Sequence, residues 1–137
     1  MTVFVDSSVW FAAANRKDHN RLRAQEIIQS SETRVVTNDI VVETWLLLNS
    51  RISRHAAEKF WEMIGDGAAR VEFTTQADLD AAWAIGRAFP DQTFSIVDRT
   101  SFAVMERQRI TRAASFDDDF AIYRYGRKRD QAFEILR

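Results

Sequence analysis

The chain contains no cysteine. That removes disulfides, thiolate zinc sites and cysteine nucleophiles from consideration. Histidine is scarce as well. His19 and His55 sit in polar stretches with no partner histidine at metal-ligand spacing, so neither is a good ligand or general base. Four glycines and one proline among 137 residues leave little material for long flexible linkers. No apolar run approaches the roughly 20 residues needed to span a bilayer. The opening MTVFVDSSVWFAAA lacks a basic start and carries Asp6 in its middle, which makes it a poor export signal. A cytoplasmic location is therefore expected. Charge of one dominant sign is missing too, since 19 basic residues face 20 acidic ones for a net charge of −1. A protein that coats nucleic acid non-specifically is usually basic overall. Any RNA contact here must come from local basic patches, or from divalent cations that offset an acidic pocket.

What the chain does have is a folding pattern. Hydrophobic residues make up 46% and charged residues 28%, the balance of a soluble globular protein of one domain, spanning residues 1–137. Thr2–Val5, Thr33–Val36, Arg70–Thr74 and Ile110–Phe116 read as strands, and Gln131–Leu136 as a fifth, edge strand. Between them lie helical stretches at Ser7–Ala14, His19–Ser30, Ile40–Leu48, Ser53–Ile64, Gln76–Phe89 and Ile96–Arg107. In the second of these Leu22, Ile27 and Ile28 form the apolar side. Thr37, Asn38 and Asp39 are N-cap types, and Thr75 with Asp78 and Ser95 with Asp98 repeat a capping-box spacing. Strands alternating with helices predict an α/β three-layer domain, with a mainly parallel central sheet of four or five strands.

In such sheets function gathers beyond the carboxyl ends of the strands. Asp6 follows the first strand. Glu43 lies about one turn into the helix after the second. Asp98 lies in the first turn of the helix leading to the fourth, and Asp117 follows that strand. Crowded carboxylates repel one another unless they hold protons or cations. Hard oxygen ligands suit Mg2+ or Mn2+, and such ions serve phosphodiester chemistry. Each acid also has a bland reading. Asp98 fits a helix cap, and Asp117–Asp119 fit a solvated turn of which at most two face a site. Glu43, between Val42 and Trp45, is either a costly buried acid or a solvent-facing one.

These segments resemble the PIN-domain family over nearly the whole chain. TVFVDSSVWFA resembles its first motif, with Asp6 and Ser8 at the acid and hydroxyl positions. NDIVVETWLLL resembles the second and carries over to Glu43. FSIVDRTSFAVMERQRI resembles the third through Ser95 and Asp98. ITRAASFDDDFAIYRYG resembles the fourth through Asp117 and Phe120, with Asp119 as an accessory. Within the family, a small domain without extra modules is most similar to VapC-type toxins of type II toxin–antitoxin pairs. The resemblance implies a PIN-like domain holding Mg2+ (or Mn2+) on Asp6, Glu43, Asp98, Asp117 and Asp119, with Ser8 and Ser95 supporting. It implies an endoribonuclease that cleaves RNA by metal-activated water, works as a homodimer, and is inhibited by a cognate small antitoxin whose tail lies in the active-site groove.

Two other readings compete. A haloacid-dehalogenase-type phosphatase also starts with a strand and an aspartate, but it needs a second acid two residues on, where Ser8 stands. A non-catalytic RNA-binding or interaction module on the same fold is the third. Arg99, Arg16 and Lys17, with Arg51 and Arg54, are candidate phosphate contacts. The cluster Arg124–Arg129 (RYGRKR) reads equally as an RNA guide or as edge-strand solubilisation. Trp10, Phe11, Trp45, Trp61 and Trp83 are expected in core or dimer packing rather than base stacking.

Overall fold

The structure, a computed structural model, describes all 137 residues. Its elements follow the chain as β1 (Thr2–Val5), α1 (Ser7–Ala14), α2 (Arg21–Ile28), β2 (Thr33–Thr37), α3 (Asn38–Arg51), α4 (Arg54–Gly65) and β3 (Arg70–Glu72). Then come α5 (Gln76–Ala88), α6 (Ile96–Gln108), β4 (Arg112–Ala114), α7 (Asp119–Ile122) and β5 (Glu134–Leu136). The five strands form one sheet in the order β3-β2-β1-β4-β5, and every pairing is parallel. Helices flank it, so the three central strands are buried and apolar where they approach the site: Val3, Phe4, Val5, Val35, Val36, Ala113 and Ala114 are all fully inaccessible.

From β1 the chain builds outward to β2 and β3, then returns to place β4 and β5 on the other side. The order therefore reverses between β1 and β4, and a crevice opens beyond the carboxyl ends of those two strands. Asp6 N–H donates to Ala114 O at 3.0 Å and closes the floor of that crevice.

Several helix starts are set by the capping residues. Thr37 Oγ accepts from Ile40 N–H, which starts α3 at Asn38 rather than at Ile40. Both capping boxes form, Thr75 with Asp78 and Ser95 with Asp98. Near the β4 edge the core is aromatic. Phe102 stacks on Tyr123 at 4.2 Å and meets Phe120 edge-on at 5.0 Å, and Phe120 in turn packs on Phe4.

Several element bounds differ from the sequence expectations, with β3 ending at Glu72 and β5 starting at Glu134. The second helix is shorter, and it buries Ala24 and Ile27 while Leu22 is 75% exposed. β4 ends at Ala114, so Ser115 and Phe116 separate Asp117 from the strand. The aspartate run leads into a one-turn helix, α7. Trp10 is in the core and Trp45 packs against it, but Trp61 and Trp83 are 58% and 68% exposed. No helix is long and apolar enough to cross a membrane.

Candidate metal-binding active site

Asp6 stands at the N-cap position of α1, yet its side chain makes no capping hydrogen bond. It turns instead into the crevice. There its Oδ2 accepts from the hydroxyls of Ser8 at 2.8 Å and Ser115 at 2.9 Å. Ser8 Oγ also accepts from Phe116 N–H at 3.0 Å, and Ser115 Oγ from Asp117 N–H at 3.2 Å. The two serines thus tie the β1 end to the β4 end and hold the Asp6 carboxyl between them. Burial raises the Asp6 carboxyl above its usual value, and the hydroxyls of Ser8 and Ser115 oppose that rise.

The other acids gather round it. Burial and then the Asp6 charge raise Asp117 to about 6, with Asp119 and Glu43 adding to the effect. Asp98 is raised to about 7 by burial, helped by Asp119 and Asp6 and opposed by the Ser95 N–H. That N–H donates to Asp98 Oδ2 at 3.1 Å. Asp98 is therefore both a cap and a member of the cluster, and the two readings of it coexist. Glu43, half-buried on α3, is raised by burial, against a hydrogen bond from Ser7, and then by the charges of Asp6 and Asp39. Asp118 faces away, 83% exposed and paired with Arg137 at 3.2 Å.

Asp6, Glu43, Asp98, Asp117 and Asp119, acids from four separate segments, thus influence one another at one end of the sheet. Two neighbours were not singled out from sequence. Ser115 is a fully buried hydroxyl just beyond an apolar strand end, and the sequence carries no signal for it. From sequence Asp39 reads only as a cap type. It accepts from the Thr74 hydroxyl at 2.7 Å and lies beside Glu43.

The basic candidates sit elsewhere. Arg99 lies along α5, where a Cβ on Gly86 would meet its Nη1 at 1.9 Å. Its guanidinium donates to the carbonyls of Ser95 and Ala82. Arg16 and Lys17 follow the far end of α1, an eight-residue helix, or about 12 Å, from Asp6. Arg54 stacks over Trp45 and pairs with Glu58.

Oxygen-only donors with raised pKa values fit a hard divalent cation, which would relieve their repulsion. No three of the carboxyl groups converge into a ready-made cage, so a shared ion would require side-chain rotation. This repulsion has a consequence for stability. The folded, metal-free protein keeps protons on Asp98 and Asp117 that the unfolded chain releases near its ordinary value of 3.8. Between about pH 4 and 7 the folded state binds more protons, so stability falls as pH rises through that window. We expect the metal-free melting temperature to drop from pH 5 to pH 8. Asp98→Asn keeps the cap acceptor and should restore about 2 kcal/mol at pH 8, a discounted share of the full shift. Differential scanning calorimetry at both pH values reads this directly, and a variant that melts lower at pH 8 would mark Asp98 as a purely structural cap.

Known proteins share this sequence pattern and fold. Residues 3–126 match the family described as PIN domain. The chain is 38% identical over 121 residues to the 23S rRNA-specific endonuclease VapC20 of Mycobacterium tuberculosis, covering 87% of this chain and 92% of that protein. The crystal structure of M. tuberculosis VapC20, a Sarcin-Ricin loop cleaving toxin, superposes with a TM-score of 0.80 at 32% identity over 85% of this chain and 91% of that one. FitAcB from Neisseria gonorrhoeae has the same fold, with a TM-score of 0.62 at 12% identity over 87% of this chain and 89% of that one. The chain belongs to the PIN-domain family and, within it, resembles the VapC-type toxin ribonucleases.

Proposed function

We propose that this chain is the toxin of a toxin–antitoxin pair, a single-domain, Mg2+- or Mn2+-dependent endoribonuclease acting in the cytoplasm on a structured segment of 23S ribosomal RNA. The observation that carries the reading is the set of mutually perturbed acids at the β1/β4 crevice, together with 38% identity to an endonuclease of that specificity. Asp6, Glu43, Asp98 and Asp117 would hold the ion, with Asp119 assisting. When bound, it supplies a positive centre for the scissile phosphate and an acidified water. Ser8 and Ser115 hold the Asp6 carboxyl in register, and Ser95 does so for Asp98.

No side chain of the cluster suits covalent attack. Cysteine is absent, and the Ser8 hydroxyl is committed as a donor to Asp6 with no histidine beside it. With the ion supplying an acidified water, water rather than the substrate's 2′-hydroxyl would be the nucleophile, and products should carry 5′-phosphate and 3′-hydroxyl ends. Chelation with EDTA should abolish cleavage of a Sarcin-Ricin-type hairpin, and magnesium or manganese should restore it. End-group analysis decides the chemistry: a 2′,3′-cyclic phosphate, or full activity in EDTA, refutes it. Cation-dependent RNA binding without cleavage would favour the non-catalytic module.

The inhibitor is read as a small antitoxin. Next to Glu43 a groove of about 560 Å³ runs along α3, lined by Asp39, Val42, Leu46, Leu47 and Val97. Its apolar length suits a peptide tail better than a phosphate backbone. Exposed Leu79 and Trp83, one turn apart on α5, and nearby Phe73 give a homodimer an apolar face to bury.

A further inference from the structure

The segment Arg124–Arg129 carries four cations in six residues and no acid, in a chain whose net charge is −1. None of the four takes part in an ion pair. The loop is nevertheless held firmly. Tyr125 and Gln131 pair in antiparallel fashion, with N–H···O distances of 2.8 and 3.2 Å, and the Arg129 N–H closes the turn onto Gly126 O at 3.1 Å. Gly126 has φ 88°, and a Cβ there would meet Gln131 Nε2 at 2.8 Å, so the turn needs glycine.

Arg129 also takes a left-handed conformation, φ 52°, which is unfavourable for a residue with a Cβ. The molecule holds it there through the core. Arg129 Nη1 donates to the Tyr123 hydroxyl at 2.8 Å, and its guanidinium lies 5.6 Å over Phe89 and 5.9 Å from the Tyr123 ring. Tyr123 is itself buried, stacked on Phe102, and donates to Glu106 at 2.6 Å. On the other side Tyr125 stacks on Phe133 at 4.8 Å. Arg124 is spent on the last carbonyls of α7. Arg127 and Lys128 remain: exposed, without a protein partner, and carried on a tip whose shape is fixed before any ligand arrives.

We infer that this loop is a second RNA contact, outside the acid cluster, at which Arg127 and Lys128 bind backbone phosphates of the structured substrate. The inference rests on the ribonuclease reading given above. A polyanion suits it because the tip offers point charges without an apolar seat, and an amphipathic acidic peptide would need that seat. The loop hangs from the end of α6 opposite Asp98: the Gly126 N–H donates to Glu106 Oε1 at 3.4 Å, eight residues or about 12 Å along the helix from Asp98. One folded RNA can reach both. The contact positions the RNA and leaves the chemistry to the acids.

The test uses the full chain with Asp6→Asn to prevent cleavage, and reads binding of a fluorescein-labelled Sarcin-Ricin-type hairpin by anisotropy in Mg2+. Arg127→Gln together with Lys128→Gln should weaken binding about tenfold at 0.1 M salt. The slope of log Kd against log salt should fall by about 1.4 to 1.8, two phosphate contacts' worth between the single-stranded and duplex limits. Lys128→Glu alone, at an exposed site, provides a second variant should the double substitution lower the melting temperature. Unchanged affinity and slope in both variants overturn the inference. So does a polyglutamate peptide that competes as well as RNA, since that assigns the loop to an acidic protein. If the loop variants lose RNA affinity while the unsubstituted chain never cleaves RNA, the loop contact stands and the ribonuclease reading fails.

Discussion

Asp6→Ala is expected to lower RNA cleavage by about 10³-fold or more, the scale at which a preorganised electrostatic group is lost from a reaction centre. Asp6→Asn should be nearly as inactive, and the pair of variants carries the argument. Asparagine keeps an oxygen that can accept from Ser8 and Ser115, the two hydroxyls that hold Asp6 at 2.8 and 2.9 Å. If Asp6 served only to tie β1 to the β4 end, asparagine would preserve activity. If its charge holds a cation, both variants fail and calorimetric titration shows magnesium binding lost or much reduced in each. Stability should move the other way for the Asn variant. Burial already raises the Asp6 carboxyl, so its charge is a cost in the metal-free fold. Asp6→Asn should melt at or above the unsubstituted protein in EDTA and gain less from added magnesium. Activity retained by the Asn variant, or equal magnesium binding by both proteins, removes Asp6 from the site.

The frame of this site is legible in the sequence because Asp6, Glu43 and Asp98 are each tied to a local signal. Asp6 ends an apolar strand, and the caps at Thr37 and Ser95 fix the helix starts that carry Glu43 and Asp98 to the same edge. The parallel sheet follows from the strand–helix alternation and then sets the switch point. What stayed hidden depends on tertiary partners. Ser115 is an ordinary residue until β4 pairs with β1 and places its hydroxyl against Asp6, 109 positions away in the chain. Arg99 looked suited to phosphate because it adjoins Asp98. Gly86 on a different helix opens the slot into which its side chain folds. Leu22 fits an apolar helix face by spacing, yet it is exposed while the smaller Ala24 is buried. In the Asp117–Asp119 run, the start of α7 turns Asp119 toward Asp98 while Asp118 pairs with Arg137, a split that adjacent identical residues cannot signal.

Arg107→Ala should cost the fold about 2–4 kcal/mol, the largest loss of stability expected from a single polar substitution outside the crevice. Its partner, Asp78, is buried to 3% exposure in the first turn of α5. Burial alone would raise that carboxyl. Hydrogen bonds from Arg107, and from the Thr75 N–H and hydroxyl, outweigh burial and hold it below its usual value. Arg107 Nε reaches both Asp78 oxygens at 3.0 and 3.2 Å, and Nη2 adds a contact at 2.9 Å and one to Phe73 O. Removing the guanidinium strands a buried anion, and because the Arg107 side chain is 35% exposed, entering water recovers part of the loss. The pH dependence has a definite sign. A lowered carboxyl contributes stability above its unfolded value and loses it as pH falls through its folded value. The deficit of Arg107→Ala should therefore be widest at neutral pH and shrink below about pH 4, as Asp78 takes up a proton. Pairing Arg107→Met with Asp78→Asn should recover much of the loss, since no charge is left without a partner. Because this pair clamps α5 to α6, which carries Asp98, Arg107→Ala should also weaken magnesium binding at temperatures where the protein is still folded. Urea titration across pH reads the first effect and calorimetry the second. A loss under about 1 kcal/mol that does not vary with pH would reduce the pair to an ordinary surface ion pair.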